Sequence, residues 1–454
     1  MSEALPLSQH IRENLKLAVP VMLSNLGHVL MGVADNVMVG HIDAVSLAGA
    51  GLATVAFNVL LLFGIGVSYA ITPLVAEADG KGDTNTIIQT LRHGLVINTL
   101  NAIFLVALVL VGKNLLYHID QPPEVVAKAL PYLDIITFSL IPMLIFQSFK
   151  QFAEGLSNTR IALAVVLACN VLNIGLNYIL IYGHIGFDAY GLNGAGYATL
   201  ISRIVMAGAI AAYIYYHGPF RKFRTAFLPA SYTKSLFKKM LHLGIPSGVQ
   251  FIFEVAAFDF SLVMMGWLGI KEQAAHQIVI NMATLSYMAT AGLAAAATVR
   301  VGYFLGRHDP LNLRRSAYSL LTMALILMSI FAIVFITARH FLPTLYVNDR
   351  EVIAIAAPLL IIAGLFQLSD GAQVVCNSAL RGLQDVRIPS LLIFVSYWII
   401  GLPLGYWLTF KQGFGAQGIW MGLLIGLTLT AAGMYLRLRS LVKAQVRYGA
   451  LPEK

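Results

Sequence analysis

The sequence predicts an all-α polytopic membrane protein, with twelve transmembrane helices in two six-helix bundles related by a pseudo-two-fold axis along the membrane normal. Three observations predict it. The 454 residues are 58% hydrophobic and 11% charged, with a mean hydropathy of +0.77, whereas soluble domains are about 25% charged. Apolar stretches of about 20 residues, enough to cross a hydrocarbon core of about 30 Å, recur between polar interruptions. The chain also repeats itself at a single offset.

MSEALPLSQHIRENLK is polar and amphipathic, lacks a cleavable signal pattern, and leads directly into the first span near residue 12, so the start is expected to be the mature one. The second span begins near 46 and stops at EADGKGDTN, the third near 92 and stops at HIDQPPE, the fourth near 131 and stops at EGLSNTR. The fifth, near 161, carries CNVLNIGLNYIL and ends at GHIGFDAYG; the sixth, near 191, carries YATLISR and runs into the basic linker HGPFRKFRTAFLPASYTKS. The seventh, near 241, contains FIFEVAAFDF and ends at LGIKEQ; the eighth, near 274, contains AAHQIVINM and ends at LGRHDPLNLRR. The ninth begins near 316 and stops at VNDRE, and the tenth, near 353, holds LFQLSDGAQVV before RGLQDVR. The eleventh, near 388, stops at FKQG, and the twelfth, near 416, runs into a tail with Arg437, Arg439, Lys443 and Arg447.

At an offset of 226, Leu17 meets Leu243, Pro20 meets Pro246, Gly40 meets Gly266, Gly66 meets Gly292, Thr72 meets Thr298, Val75 meets Val301, Gly80 meets Gly306 and Asp83 meets Asp309. Apolar composition does not generate coincident Pro, Gly and Asp positions. Farther along the register drifts by about a residue, yet Gly155 still falls on Gly382 and Arg160 on Arg387. The chain therefore divides into residues 1–220, a cytoplasmic linker 221–240, and residues 241–454. Six spans per half is even, so both halves enter the membrane the same way, an arrangement suited to alternating access around a midplane site.

The formal charge of +9 could suggest nucleic acid, but its distribution does not. With the amino terminus in the cytoplasm, alternate loops carry most of the basic residues, among them Lys81, Arg160, Arg221, Lys222, Arg224, Lys238 and Arg315; the opposite loops hold only Lys113, Lys128, Lys271, Arg339, Arg350 and Lys411. This positive-inside bias places both termini in the cytoplasm and makes the charge topological. Trp267 and Trp407 fall at outer span ends, as interfacial anchors do. Cys169 and Cys376 lie within spans without metal or redox spacing and read as small core residues.

Four acids fall within spans: Asp35, Glu254, Asp259 and Asp370. A charge at mid-membrane costs about 2.5–3.5 kcal/mol on insertion, so such residues face a cavity or a partner, and the in-span bases available as partners are Lys150 and Arg203. Desolvation brings the protonated and the cation-bound carboxylate close in energy, and a group balanced that way exchanges one cation for another. Asn173, Asn177 and Thr199 join Asp35 as a candidate site for a small ion or proton in the first half, since asparagine oxygens and a carboxylate suit a hard cation. Glu254 and Asp370 form the second-half candidate. On the 226 offset Glu254 falls on His28 and Asp35 on Ser261, so the halves share a frame and not their chemistry. Asp259, about 140° round the helix from Glu254, is expected to be structural. Phe253, Phe258, Gln277 and Phe366 are candidates for lining a substrate cavity between the halves, giving apolar and cation-π contacts to flat cations. His276 reads as a packed core residue. Pro20 and Pro246, matched early in their spans, allow a bend or serve packing alone. The loops hold no His cluster, metal-ligand set or nucleophile elbow, so no enzyme activity is expected and no cofactor beyond a coupling ion.

In LAVPVMLSNLGHVLMGVADNVMVG, PLVAEADGKGD, LNIGLNYILIYG, GLNGAGYAT, LGIPSGVQFIFEV, AAHQIVIN, RVGYFLG and SDGAQVVCNSALRGLQDVRIP, in that order over nearly the whole chain, the sequence resembles the multidrug and toxic compound extrusion (MATE) family, most closely its NorM branch. The resemblance implies a multi-pass antiporter of the bacterial inner membrane, monomeric and in contact with membrane lipid, that expels organic cations and hydrophobic drugs in exchange for Na+ or H+. It also implies that Asp35, with Asn173, Asn177 and Thr199, matches the N-lobe site, and that Glu254 and Asp370 match the C-lobe acids of cation coupling. Family members often carry Tyr four residues before the tenth-span acid, where this chain has Phe366. Relatives of the DinF type carry an acid where this chain has Asn177. A flippase for lipid-linked sugars is the alternative reading; it would need a strongly cationic cavity, and in-span bases are few. A major-facilitator carrier fits in outline, but GKGD is not that family's basic loop motif.

Overall fold

A computed structural model describes residues 5–118, 121–228 and 231–448. The linker residues Pro229 and Ala230, and both chain ends, lie outside the described residues. Among the described residues twelve helical spans are long and apolar enough to cross a membrane: Leu7–Gly40, Ala44–Lys81, Thr84–His118, Pro123–Gly155, Arg160–Tyr182, Leu192–Tyr216, Lys234–Gly266, Ile270–Gly306, Pro310–Thr337, Arg350–Gly382, Arg387–Phe410 and Ala416–Arg447. No strand occurs among the described residues. The protein is an all-α, multi-pass membrane protein. Large apolar side chains such as Val55, Phe104, Val171 and Ile333 are exposed along the spans, as expected where the solvent is lipid.

Three spans begin seven or eight residues earlier than hydropathy places them: the third at 84 against 92, the fourth at 123 against 131, and the seventh at 234 against 241. For the third the reason is a cap. Asp83 accepts a hydrogen bond at 3.0 Å from the backbone N–H of Thr86, so the polar turn TNTIIQ is already helical. Asp43, Asp309 and Asp349 cap the second, ninth and tenth spans in the same way. Three spans are interrupted. The second breaks between Ser68 and Ile71 and the fourth at Ser139, and the eleventh contains a π-helical stretch, Phe394–Gly401.

Packing divides the chain into two compact units. One runs from Leu23 to Gly248; the other joins the start of the first span, through Met22, to the chain from Val249 onward. The sequence-based division places the boundary in the linker 221–240, whereas the packing boundaries fall inside the first and seventh helices, two residues after Pro20 and Pro246. The linker helix Gly218–Phe227 belongs to the first unit: it buries Phe220, Phe223 and Ala226, and the Arg92 guanidinium donates to the carbonyl of Thr225.

Within the Leu23–Gly248 unit the fifth span packs on the sixth, and the fourth on the second, third and sixth, around Phe57, Leu105, Leu133, Ile136 and Leu144. In the other unit the tenth span is central, packed on the eighth, ninth and twelfth, with Leu359, Phe366, Tyr397 and Trp420 in the core. Cys169 and Cys376 are buried and unpaired. The start of the first span is fastened there by Asn14, whose amide donates to Ser319 Oγ at 3.0 Å, and by His10, whose ring meets Asn312 and Ser316.

The repeat is a packing repeat. A Cβ on Gly155 would lie 2.8 Å from Val75 and 3.1 Å from the Thr72 carbonyl; one on Gly382 would lie 3.0 Å from Val301 and 2.8 Å from the Thr298 carbonyl. Val75 and Thr72 are the 226-offset partners of Val301 and Thr298, so the same small-residue contact is built twice. Likewise Gly66 abuts Gly248 in one unit and Gly292 abuts Met22 in the other, again 226 residues apart.

Candidate functional site

Each unit carries one carboxylate cluster. In the first, Asn170 donates to the Gly27 carbonyl at 2.7 Å and the Tyr182 hydroxyl donates to the Met38 carbonyl at 2.8 Å, which lays the fifth span along the first on either side of Asp35. Asn173 and Asn177 are one turn apart on that face and fully buried. Asn177 Nδ2 donates to Asp35 Oδ1 at 2.6 Å and to Asn173 Oδ1 at 3.3 Å, and Thr199 Oγ1 stands 3.4 Å from Asp35 Oδ2. Asp35 itself is half-buried. All four residues read from the sequence as one cluster are therefore brought together.

Neither in-span base neutralises Asp35. Arg203, one turn beyond Thr199, donates to Ser139 Oγ at 2.7 Å, at the break in the fourth span, and lies 5.1 Å from the centre of the Phe57 ring. Its charge still acts on Asp35 through space. Lys150 faces Glu154 at 3.9 Å, both buried. Glu154 is an acid that hydropathy assigns to a loop; the fourth span extends far enough to include it.

In the second unit Gln373 Nε2 donates to Glu254 Oε1 at 2.9 Å. Asp370, three residues before Gln373, is 7% exposed and interacts electrostatically with Glu254. Among the described residues, none of the ion pairs involves Asp35, Glu254 or Asp370. Asp35 and Glu254 are held by neutral amides.

Aromatic side chains pack together from the turns next to this pair. The Phe258 ring lies 6.1 Å from Phe366 and 5.9 Å from Tyr397, and Phe366 lies 5.9 Å from Trp420. Phe366 is 4% exposed and belongs to the core. Phe253 packs on Phe394, and its carbonyl accepts from Trp398 Nε1 at 3.0 Å. Gln277 is exposed and donates to Asn281 at 3.2 Å, away from the acids' hydrogen bonds. His276 is packed: its Nδ1 accepts from Trp420 Nε1 at 3.1 Å. Asp259 is exposed. Gln373, Tyr397 and Ser139 escape sequence reading. Gln373 left a trace, a polar residue one turn from Asp370, but a tyrosine within FVSYWII carries no signal.

The MatE family model matches residues 20–179 and again 246–407, once in each half of the repeat. The chain is 35% identical over 427 residues to a probable multidrug resistance protein NorM of Rhizobium meliloti, covering 93% of this chain and 91% of that protein. To a probable multidrug resistance protein NorM of Agrobacterium fabrum it is 33% identical over 445 residues, covering 96% and 95%. Its fold is similar to the crystal structure of a MATE transporter in the bent conformation, with a TM-score of 0.89, 18% identity and coverage of 98% of this chain and 100% of that one. It is also similar to the eukaryotic MATE transporter AtDTX14, with a TM-score of 0.87, 21% identity and 98% of each chain covered.

Proposed function

The chain belongs to the MatE family, and from that premise we propose that it is a cation-coupled multidrug efflux antiporter of the bacterial inner membrane, exporting organic cations and hydrophobic drugs in exchange for Na+ or H+ by alternating access. One observation carries the coupling: Asp35 and Glu254 are bound by amides and a hydroxyl, Asp370 lies close enough to Glu254 to interact with it, and none of the three is in an ion pair among the described residues. Magnitudes show why this matters. An ammonium 4 Å from a carboxylate would hold it by about 4 kcal/mol at an effective dielectric of 20, whereas a hydrogen bond to a charged group contributes about 1.5–3 kcal/mol and leaves the charge in place. A carboxylate held by Asn177 or Gln373 is positioned yet still calls for a cation.

Coupling then follows from competition. A proton or sodium ion at the carboxylates neutralises the charge that an organic cation needs, so binding one favours release of the other. Each elementary charge moved across the membrane supplies about 2.3 kcal/mol per 100 mV, enough to hold a drug gradient. Lys150 faces Glu154 and Arg203 donates to Ser139, so neither base forms an ion pair with these acids, although the charge of Arg203 reaches Asp35 through space.

Uptake of a fluorescent organic cation into inverted membrane vesicles tests the reading. Glu254→Gln and Asp370→Asn should abolish gradient-driven transport while the variants insert at wild-type levels. Wild-type transport in both would reject it.

A further inference from the structure

Tyr397 sits inside the π-helical stretch Phe394–Gly401, whose last turn is closed by the Leu402 N–H on the Tyr397 carbonyl. π-Helical turns are rare and concentrate at functional positions, and this one runs for eight residues. It is held by glycines: a Cβ on Gly401 would lie 3.0 Å from the Gly422 carbonyl and 3.3 Å from Gly426 Cα, so the eleventh and twelfth spans meet backbone to backbone there.

The widened turn delivers the Tyr397 ring to 5.9 Å from Phe258. Phe258 follows Glu254 by one turn, and its ring is 6.1 Å from Phe366, which precedes Asp370 by one turn. Tyr397 thus stands beside both acid-bearing turns, and it interacts electrostatically with both carboxylates. The side chain is 0% exposed, and its hydroxyl has no hydrogen-bond partner among the described residues. Buried tyrosine hydroxyls are ordinarily bonded. Gln373 Oε1 is in the same condition: the amide nitrogen serves Glu254, and the oxygen is buried without a donor. An amide oxygen without a donor and a phenol oxygen without any partner stand with two carboxylates in one cluster, where oxygens outnumber hydrogen-bond donors. A proton would satisfy one carboxylate oxygen and leave the rest; a hard cation takes several oxygens at once.

Resting on the reading of Glu254 and Asp370 as coupling carboxylates, the geometry points to Tyr397 Oη and Gln373 Oε1 as the neutral ligands that complete an all-oxygen sodium site with those two acids. The test is a sodium titration of the purified full-length protein in lipid nanodiscs, read by intrinsic tryptophan fluorescence, since Trp420 packs 5.9 Å from Phe366, with choline replacing sodium at constant ionic strength. Tyr397→Phe keeps the ring and removes one oxygen. It should raise the half-saturating sodium concentration about tenfold, the cost of one bond to a charged group, with unchanged thermal stability without sodium. Tyr406→Phe, on the exposed face of the same span, should leave the midpoint in place. A Tyr397→Phe midpoint equal to wild type, while Glu254→Gln loses the response, would overturn the inference and leave the coupling acids standing. Wild-type midpoints in Tyr397→Phe and Glu254→Gln alike would sink both. A wild-type protein blind to sodium would also overturn the inference.

Discussion

At the level of the single residue, what separates the acids is their company. Asp35 accepts from Asn177 and Thr199, and Glu254 from Gln373. Asp259, on the same span as Glu254, is exposed. Asp259→Asn should therefore leave drug resistance of expressing cells within about twofold of wild type, as surface substitutions away from special features stay within about 0.5 kcal/mol; a sensitive strain would show that the acids are ranked wrongly. The Asp35 cluster was legible because Asn173 and Asn177 recur at helical spacing in an apolar segment, where each amide is costly enough to stand out. The second cluster was legible in its acids and, as a trace, in Gln373. Tyr397 is apolar in bulk and polar at one atom, and hydropathy patterns do not register which neighbour that atom lacks.

Among the helices, caps and glycine contacts make predictions that need no transport assay. Hydrogen bonds from the Thr86 hydroxyl, and then from its backbone N–H, hold the Asp83 carboxyl below its ordinary value of 3.8. The folded-state pKa is depressed, so this cap stabilises the protein above pH about 4 and its contribution is lost as pH falls through the folded value. Asp83→Ala should cost about 1 kcal/mol at neutral pH, and its difference in melting temperature from wild type should shrink on acidification; a difference independent of pH would refute the cap. Gly155→Ala and Gly382→Ala should each destabilise by about 1–3 kcal/mol through overpacking, because each added methyl meets Val75 or Val301 at 3.0 Å or less. Gly51→Ala, with nothing within 4 Å, is the neutral control, and matching melting temperatures in all three variants would contradict the packing repeat. The span count was readable from hydropathy; the breaks at Ser139 and in Phe394–Gly401 were not, since hydropathy runs on through both, although Pro142 and Pro403 just beyond them remove backbone donors.

For the molecule as a whole, the offset of 226 exposed two halves, but not that the packing boundary would pass through helices. Hydrophobicity says that a helix is buried and not which neighbours bury it, so the pairing of the start of the first span with the later half emerged only from Asn14, His10 and the Gly292 contact. Because both boundaries lie inside continuous helices, at Met22 and Gly248, any motion between units during transport must be absorbed along the first and seventh spans, next to Pro20 and Pro246. Motion of this kind has a function only if the carboxylates exchange cations as it proceeds. The most direct test is drug flux in proteoliposomes with sodium and proton gradients imposed one at a time, wild type beside Glu254→Gln/Asp370→Asn. One of the two gradients should drive the drug uphill in wild type and neither should in the variant; equal flux with and without gradients, or a variant as active as wild type, would contradict coupling through these acids.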